Sequence, residues 1–193
     1  MIALAKYELM PIKSNEWYTP ARYIEAARQV MGSIDLDPAS CKLANKIVQA
    51  KRYYSIEDNG LAQKWYGNVW CNPPYGKTDG ISNKEVWTRK LIQQYTSGTT
   101  TQAILLVTAA TENMWFQNLW QFPICFSVRN DRVKFYSPNG DMVEHPHGTA
   151  FVYLGPNEQA FIDAFREFGP IVKMIADLRR VKEQPHLWEG GDS

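Results

Sequence analysis

Asn68-Val69-Trp70-Cys71-Asn72-Pro73-Pro74-Tyr75-Gly76 is the stretch on which the reading of this chain turns. Val69, Trp70 and Cys71 form an apolar run of strand character, and the paired prolines behind them stop any continuation as strand or helix. The strand is therefore expected to end abruptly at a sheet edge. An asparagine amide, a proline carbonyl with no N–H of its own and an aromatic ring then stand within a few residues of one another. This set suits a flat ring carrying an exocyclic amino group. Asn72 Oδ1 and the Pro73 carbonyl would accept the amine hydrogens while Tyr75 covers the ring face. Asn-Pro-Pro alone is equally a proline-rich turn. The preceding strand and the aromatic that follows tip the balance towards a site.

Working outward, the 193 residues fit one domain with a full hydrophobic core. With 45% apolar and 21% charged residues, the composition is that of a folded globular chain and excludes wholesale disorder. The expected organisation is an N-terminal arm (1–16), a domain (17–181) and a polar C-terminal tail (182–193). Lys6 and Glu8 interrupt the apolar start, and no run reaches transmembrane length, so neither a signal peptide nor a membrane span is expected. Cys41, Cys71 and Cys125 show no paired metal-ligand spacing and fit reduced thiols in a cytoplasm, with no metal site. His145-Pro146-His147 has no third ligand at a supporting spacing and reads as exposed loop histidines. A net charge of +1 excludes nothing, since a nucleic-acid enzyme needs only a basic face. Lys42, Lys46, Lys51 and Arg52 form one cationic cluster and Arg129, Arg132 and Lys134 another, and either could line a phosphate track.

Helical spacing from Tyr23 to Met31 follows Trp17-Tyr18-Thr19-Pro20, which places Thr19 as N-cap, Pro20 at the first helical position and Gly32 at the end. A short strand then ends at Asp35-Leu36-Asp37-Pro38-Ala39, where an acid at a strand's carboxyl end can accept from a ligand ammonium or hydroxyl. Residues 47–54 suit a further strand, and Asn59-Gly60 a turn. Beyond Tyr75, the pattern predicts a helix from Glu85 to Tyr95 and a central strand from Gln102 to Thr108. A helix from Glu112 to Trp120 and strands at Pro123–Phe126, Arg132–Tyr136 and Gly148–Leu154 follow, then an amphipathic helix and a final strand. Ser137-Pro138-Asn139-Gly140 is a hairpin signal.

The ordered set Trp17-Tyr18-Thr19-Pro20, Asp35-Leu36-Asp37-Pro38-Ala39, Asp58-Asn59-Gly60-Leu61 and Asn72-Pro73-Pro74-Tyr75 resembles the phage-type Dam-like DNA N6-adenine methyltransferases. The resemblance spans about residues 15 to 155. It implies an abbreviated α/β domain, a Rossmann-like class I methyltransferase fold whose mixed sheet ends in antiparallel strands. It implies S-adenosylmethionine as cofactor, held by Trp17, Thr19, Pro20, Asp35, Asp37, Pro38, Ala39 and Asp58, with Asn72, Pro73, Pro74 and Tyr75 as the catalytic loop. It also implies a duplex DNA partner whose target adenine flips out of the stack. Lys77, Arg129, Arg132 and Lys134 are the candidate nucleic-acid contacts. With no room for a separate recognition domain, base reading falls to loops 76–84 and 129–149 or to a homodimer. The sequence departs from the family pattern after Asp37, where Ser40-Cys41-Lys42-Leu43-Ala44-Asn45 contains no glycine. RNA adenine, a protein glutamine amide, or a non-catalytic nucleic-acid-binding role of the same fold remain as alternatives.

Overall fold

The computed structural model describes residues 17–175 apart from residues 79, 138, 139 and 145. The arm, the tail and His145 therefore lie outside the described residues. Its centre is β6 (Thr100–Thr108), in which Ile104 and Leu106 enter one core cluster while Ala103, Leu105 and Val107 enter another. This period of two on a strand with no solvated face requires cover on both sides. On one side lie α1 (Ala21–Met31) and α5 (Glu158–Phe165). On the other lie α3 (Asn83–Thr96) and α4 (Met114–Gln117). Three layers result, the α/β architecture expected from the alternation of elements.

Parallel to β6 run β3 (Gly67–Cys71), β1 (Leu36–Asp37) and the edge strand β2 (Arg52–Tyr53). On the far side of β6, β10 (Thr149–Leu154) is antiparallel, and it pairs antiparallel with β7 (Ile124–Phe126), which in turn carries β11 (Ile171–Val172). The seven strands follow the order β11-β7-β10-β6-β3-β1-β2, a mixed Rossmann-like sheet closed by antiparallel strands, as the sequence predicts. Among the described residues, no helix is long and apolar enough to cross a membrane.

Several elements differ from the sequence-based expectation. Helix α1 starts at Ala21, with Pro20 in the cap position; proline has no polar side-chain atom with which to cap, and the Thr19 hydroxyl one residue earlier accepts from Asn72. Ile47 and Val48 belong to the short helix α2 (Asn45–Val48), and Gln49 turns the chain at φ 49° before the brief β2. The helix expected over 112–120 contracts to α4, since the chain beyond it bonds in tighter i→i+3 turns, Leu119 N to Phe116 O and Phe122 N to Leu119 O. Two hairpins stand apart from this sheet: β4 (Lys77–Thr78) with β5 (Ile81–Ser82), and β8 (Lys134–Tyr136) with β9 (Met142–Glu144). The turn signalled by Ser137 and Gly140 joins the second pair, with the Gly140 amide bonded to Ser137 O.

Candidate active site

Because β1, β3 and β6 are parallel, Asp37, Asn72 and Thr108 leave the sheet at the same end, where open α/β sheets bind ligands. A strap formed by Trp17 to Pro20 gathers the loops there. Tyr18 exchanges backbone hydrogen bonds of 2.9 Å with Tyr136 of β8, and its hydroxyl accepts from Cys41 Sγ at 3.5 Å. Asn72 completes the junction. Its Nδ2 donates to Trp17 O at 3.0 Å and to Thr19 Oγ1 at 3.3 Å. With both amide hydrogens engaged, Oδ1 is left as an acceptor, and the Pro73 carbonyl beside it accepts no hydrogen bond from the described residues. The loop is thus an acceptor pair on a rigid strand end.

Tyr75 follows. Burial pushes its phenol well above the ordinary value, and its ring meets Phe135 of β8 edge-on at 6.5 Å and the Lys84 ammonium at 4.5 Å. Lys84 Nζ in turn donates to Thr108 Oγ1 at 2.5 Å.

The two aspartates after α1 part company. Asp37 is buried at 3% exposure, its Oδ1 accepts from the Ala39 amide at 3.2 Å, and no cation pairs with it among the described residues. Burial pushes its carboxyl up to about 7, against the lowering influence of the nearby Ser40 hydroxyl and the Ala39 amide. Ser40 Oγ meets no atom at hydrogen-bonding geometry although it is buried. The Ser40 hydroxyl thus stands close enough to lower the Asp37 carboxyl without full hydrogen-bonding geometry, and the buried acid, with no cation, keeps acceptor capacity. Asp35 is committed elsewhere: it accepts from Lys51 Nζ at 2.7 Å and the Asn68 amide at 2.9 Å, and the lysine and hydrogen bonds hold its carboxyl below the usual value despite the opposing effect of burial. It fastens β1 to β3 and β2.

Asp58 accepts from the Ser55 amide and hydroxyl, each at 2.8 Å, and those bonds lower its carboxyl. One of its oxygens, Oδ2, takes both bonds. With Ser40, Tyr53 and Ile56 it lines a cleft of about 580 Å³ beyond the ends of β1 and β2. Pro38, which is buried, and Ala39, which is half-buried, precede Ser40 in the chain and do not line the cleft. Tyr54 O accepts from the Ser40 amide at 2.9 Å, and Ala44 N donates to Cys41 Sγ at 3.4 Å. The loop that lacks glycines is held by these bonds instead.

The basic candidates divide as well. Lys77, Arg129 and Lys134 are exposed, whereas Arg132 is half-buried, donating to Pro146 O at 2.9 Å and standing 3.9 Å from Glu144. It braces the β8–β9 hairpin. Ser40, Cys41, Lys84 and Thr108 belong to the site and escape a sequence reading. Only Ser40 and Cys41, directly after Asp-Pro-Ala, have a local position that points to them, because Lys84 and Thr108 arrive through space.

A family model described as "DNA N-6-adenine-methyltransferase (Dam)" matches residues 8–152. Among curated proteins, the DNA N-6-adenine-methyltransferase of Escherichia phage T1 is 32% identical over 103 residues, which cover 52% of this chain and 38% of the relative. No solved structure matches.

Proposed function

The chain belongs to the DNA N-6-adenine-methyltransferase (Dam) family, and we propose that it methylates the exocyclic N6 of adenine in DNA with S-adenosylmethionine as donor. The observation that carries this reading is the commitment of Asn72 Nδ2 to Trp17 O and Thr19 Oγ1, which leaves Oδ1 and the Pro73 carbonyl as paired acceptors for an amine. The relative's name supports adenine in DNA as the substrate.

The residues present fit the cofactor. Asp37 and the Ser40 oxygen beside it can accept from donors of the kind its ammonium and ribose hydroxyls offer, Asp58 Oδ1 adds an acceptor in the cleft, and the first-turn amides of α1 suit its carboxylate. When bound, it supplies an electrophilic sulfonium methyl group. The rest of the task is alignment. The adenine amino nitrogen is a weak nucleophile because its lone pair is delocalised into the ring. By accepting both amino hydrogens, Asn72 Oδ1 and Pro73 O draw the nitrogen towards a tetrahedral geometry and free that lone pair. Neutral Asn72 is no base, so the surplus proton leaves to water. Tyr75 offers the flipped base a stacking surface worth about 1–3 kcal/mol, which offsets part of the cost of unstacking.

The test is transfer of label from S-adenosylmethionine to DNA, RNA and protein in parallel, followed by digestion of the DNA. N6-methyladenine in DNA is expected. Asn72→Ala should abolish the transfer while cofactor affinity falls far less, since the side chain serves the acceptor directly and reaches the cofactor residues only through its hydrogen bonds to Trp17 and Thr19. Label confined to RNA or protein would overturn the reading.

A further inference from the structure

Lys84 has no place in the reaction as described above, and its surroundings are unusual. It stands in the first turn of α3, where the helix dipole opposes a cation. Its side chain is half-buried, burial draws its pKa below that of an ordinary lysine, and no carboxylate pairs with it among the described residues. The helix dipole, the burial and the missing counter-ion each disfavour a charged amine. Its neighbours on α3 are satisfied differently: Arg89 pairs with Glu85, and Lys90 donates to Leu61 O and Gln63 O at 2.7 Å. What Lys84 has is Thr108 Oγ1 at 2.5 Å and the Tyr75 ring, with Nζ 4.5 Å from the ring centroid. That separation is within cation–π range.

Thr108 closes β6, the strand paired with β3, so the ammonium rests on the same sheet that carries Asn72. Phe135 restrains the ring from a second direction, edge-on at 79°. Both contacts restrain the Tyr75 ring beside the acceptor pair.

We propose that Lys84 is a positioning residue for the target base: footed on Thr108, its ammonium holds the Tyr75 ring in the plane on which the flipped base stacks beside Asn72. The proposal rests on the reading of Asn72 to Tyr75 as the amine-accepting loop. A cation over a ring draws on its negative face and costs no reorganisation when the base arrives, so the effect falls on base capture. A direct contact between the ammonium and a DNA phosphate is the competing role.

A double-mutant cycle in steady-state kinetics separates the two, using the duplex that the unaltered protein methylates. Lys84→Met should raise the KM for DNA about five- to tenfold, with kcat changed less and cofactor affinity, measured by calorimetry, unchanged. Lys84→Arg, which keeps the cation, should stay within about threefold of the unaltered protein, and the melting temperatures of both variants should lie within a few degrees of it. In a Tyr75→Ala background, Lys84→Met should add nothing. Losses that multiply in the double variant would assign the lysine to the DNA directly and overturn the proposal, as would a loss of cofactor affinity. Absence of any transfer to DNA by the unaltered chain would remove the underlying reading and this proposal with it. Multiplying losses in a chain that does transfer remove the proposal alone.

Discussion

Asp37 has its charge set by the fold. Its carboxyl moves from 3.8 to about 7 because burial removes water and no cation replaces it. Between those values the folded chain binds a proton that the unfolded chain has released. Its contribution therefore makes stability fall as pH rises from about 4 to about 7, with no further change beyond either limit. Asp37→Asn removes the buried charge. Calorimetric melting at pH 8 should then show the variant more stable, by about 2–4 °C for each kcal/mol recovered, while near pH 4 the two should melt together. Cofactor affinity should fall in the same variant, the trade between stability and function expected of a site that keeps an unpaired charge. Equal melting at pH 8 would contradict the burial of a charge at this position. Asp35 shows how little residue type alone decides. Two positions away in the same sequence motif, it is a structural anchor because Lys51 and the Asn68 amide reach it.

Gly60 sets the fit between elements. The dipeptide Asn59-Gly60 suggests a turn with positive φ, and Asn59 adopts it at 50°. Gly60 is required for a different reason: a Cβ there would stand 2.0 Å from the Pro38 carbonyl and 3.0 Å from Trp87 Cη2. The turn after β2 thus packs without a gap between the loop beyond β1 and helix α3. Gly60→Ala must push the Pro38 carbonyl, adjacent to Asp37. It should cost about 1–3 kcal/mol in urea unfolding, as overpacking does, and lower cofactor affinity as well. A variant as stable as the original would show that the loop yields freely. At this scale, legibility follows length and burial. Strands β6 and β10 carry long apolar runs and can be read directly, whereas the β4–β5 hairpin and strand β9 are two or three largely exposed residues with no hydrophobic period. Helix α4 reads too long because its aromatics mimic a helical face while the chain turns more tightly.

Across the whole molecule the two ends of the sheet have different tasks. At the end opposite the site, Tyr153 donates to Gln102 Oε1 at 2.8 Å and accepts from the Asn157 amide at 3.0 Å. Gln102 Nε2 reaches Asn68 Oδ1 at 3.2 Å and Met31 O at 3.3 Å, and Asn68 Nδ2 donates to Met31 O at 2.9 Å. This network ties α1, β3, β6, β10 and the start of α5 together far along the strands from Asn72. Tyr153→Phe leaves Gln102 and the Asn157 amide without that partner. The expected loss is about 1–3 kcal/mol, or a melting temperature lower by about 2–4 °C per kcal/mol, with methyl transfer per folded molecule unchanged. Loss of activity beyond the loss of folded protein would show that the two ends are coupled.

Sequence alone determined the fold class and the order of the loops at the end of the sheet, and it carries the proposal of an acceptor loop at Asn72 to Tyr75, because each depends on near neighbours. Two prolines end a strand, apolar residues recur with a strand's or helix's period, and an Asn-Pro-Pro-Tyr loop carries its chemistry within four residues. Only the tertiary structure decided which way the Asn72 amide faces, which aspartate stays unpaired, why Gly60 is a glycine and where the Lys84 ammonium rests. Those outcomes depend on partners separated in the chain by between 9 positions (Lys84 and Tyr75) and 55 (Asn72 and Trp17), and on the water that packing excludes around them. Their distances and their desolvation are not written in any local pattern.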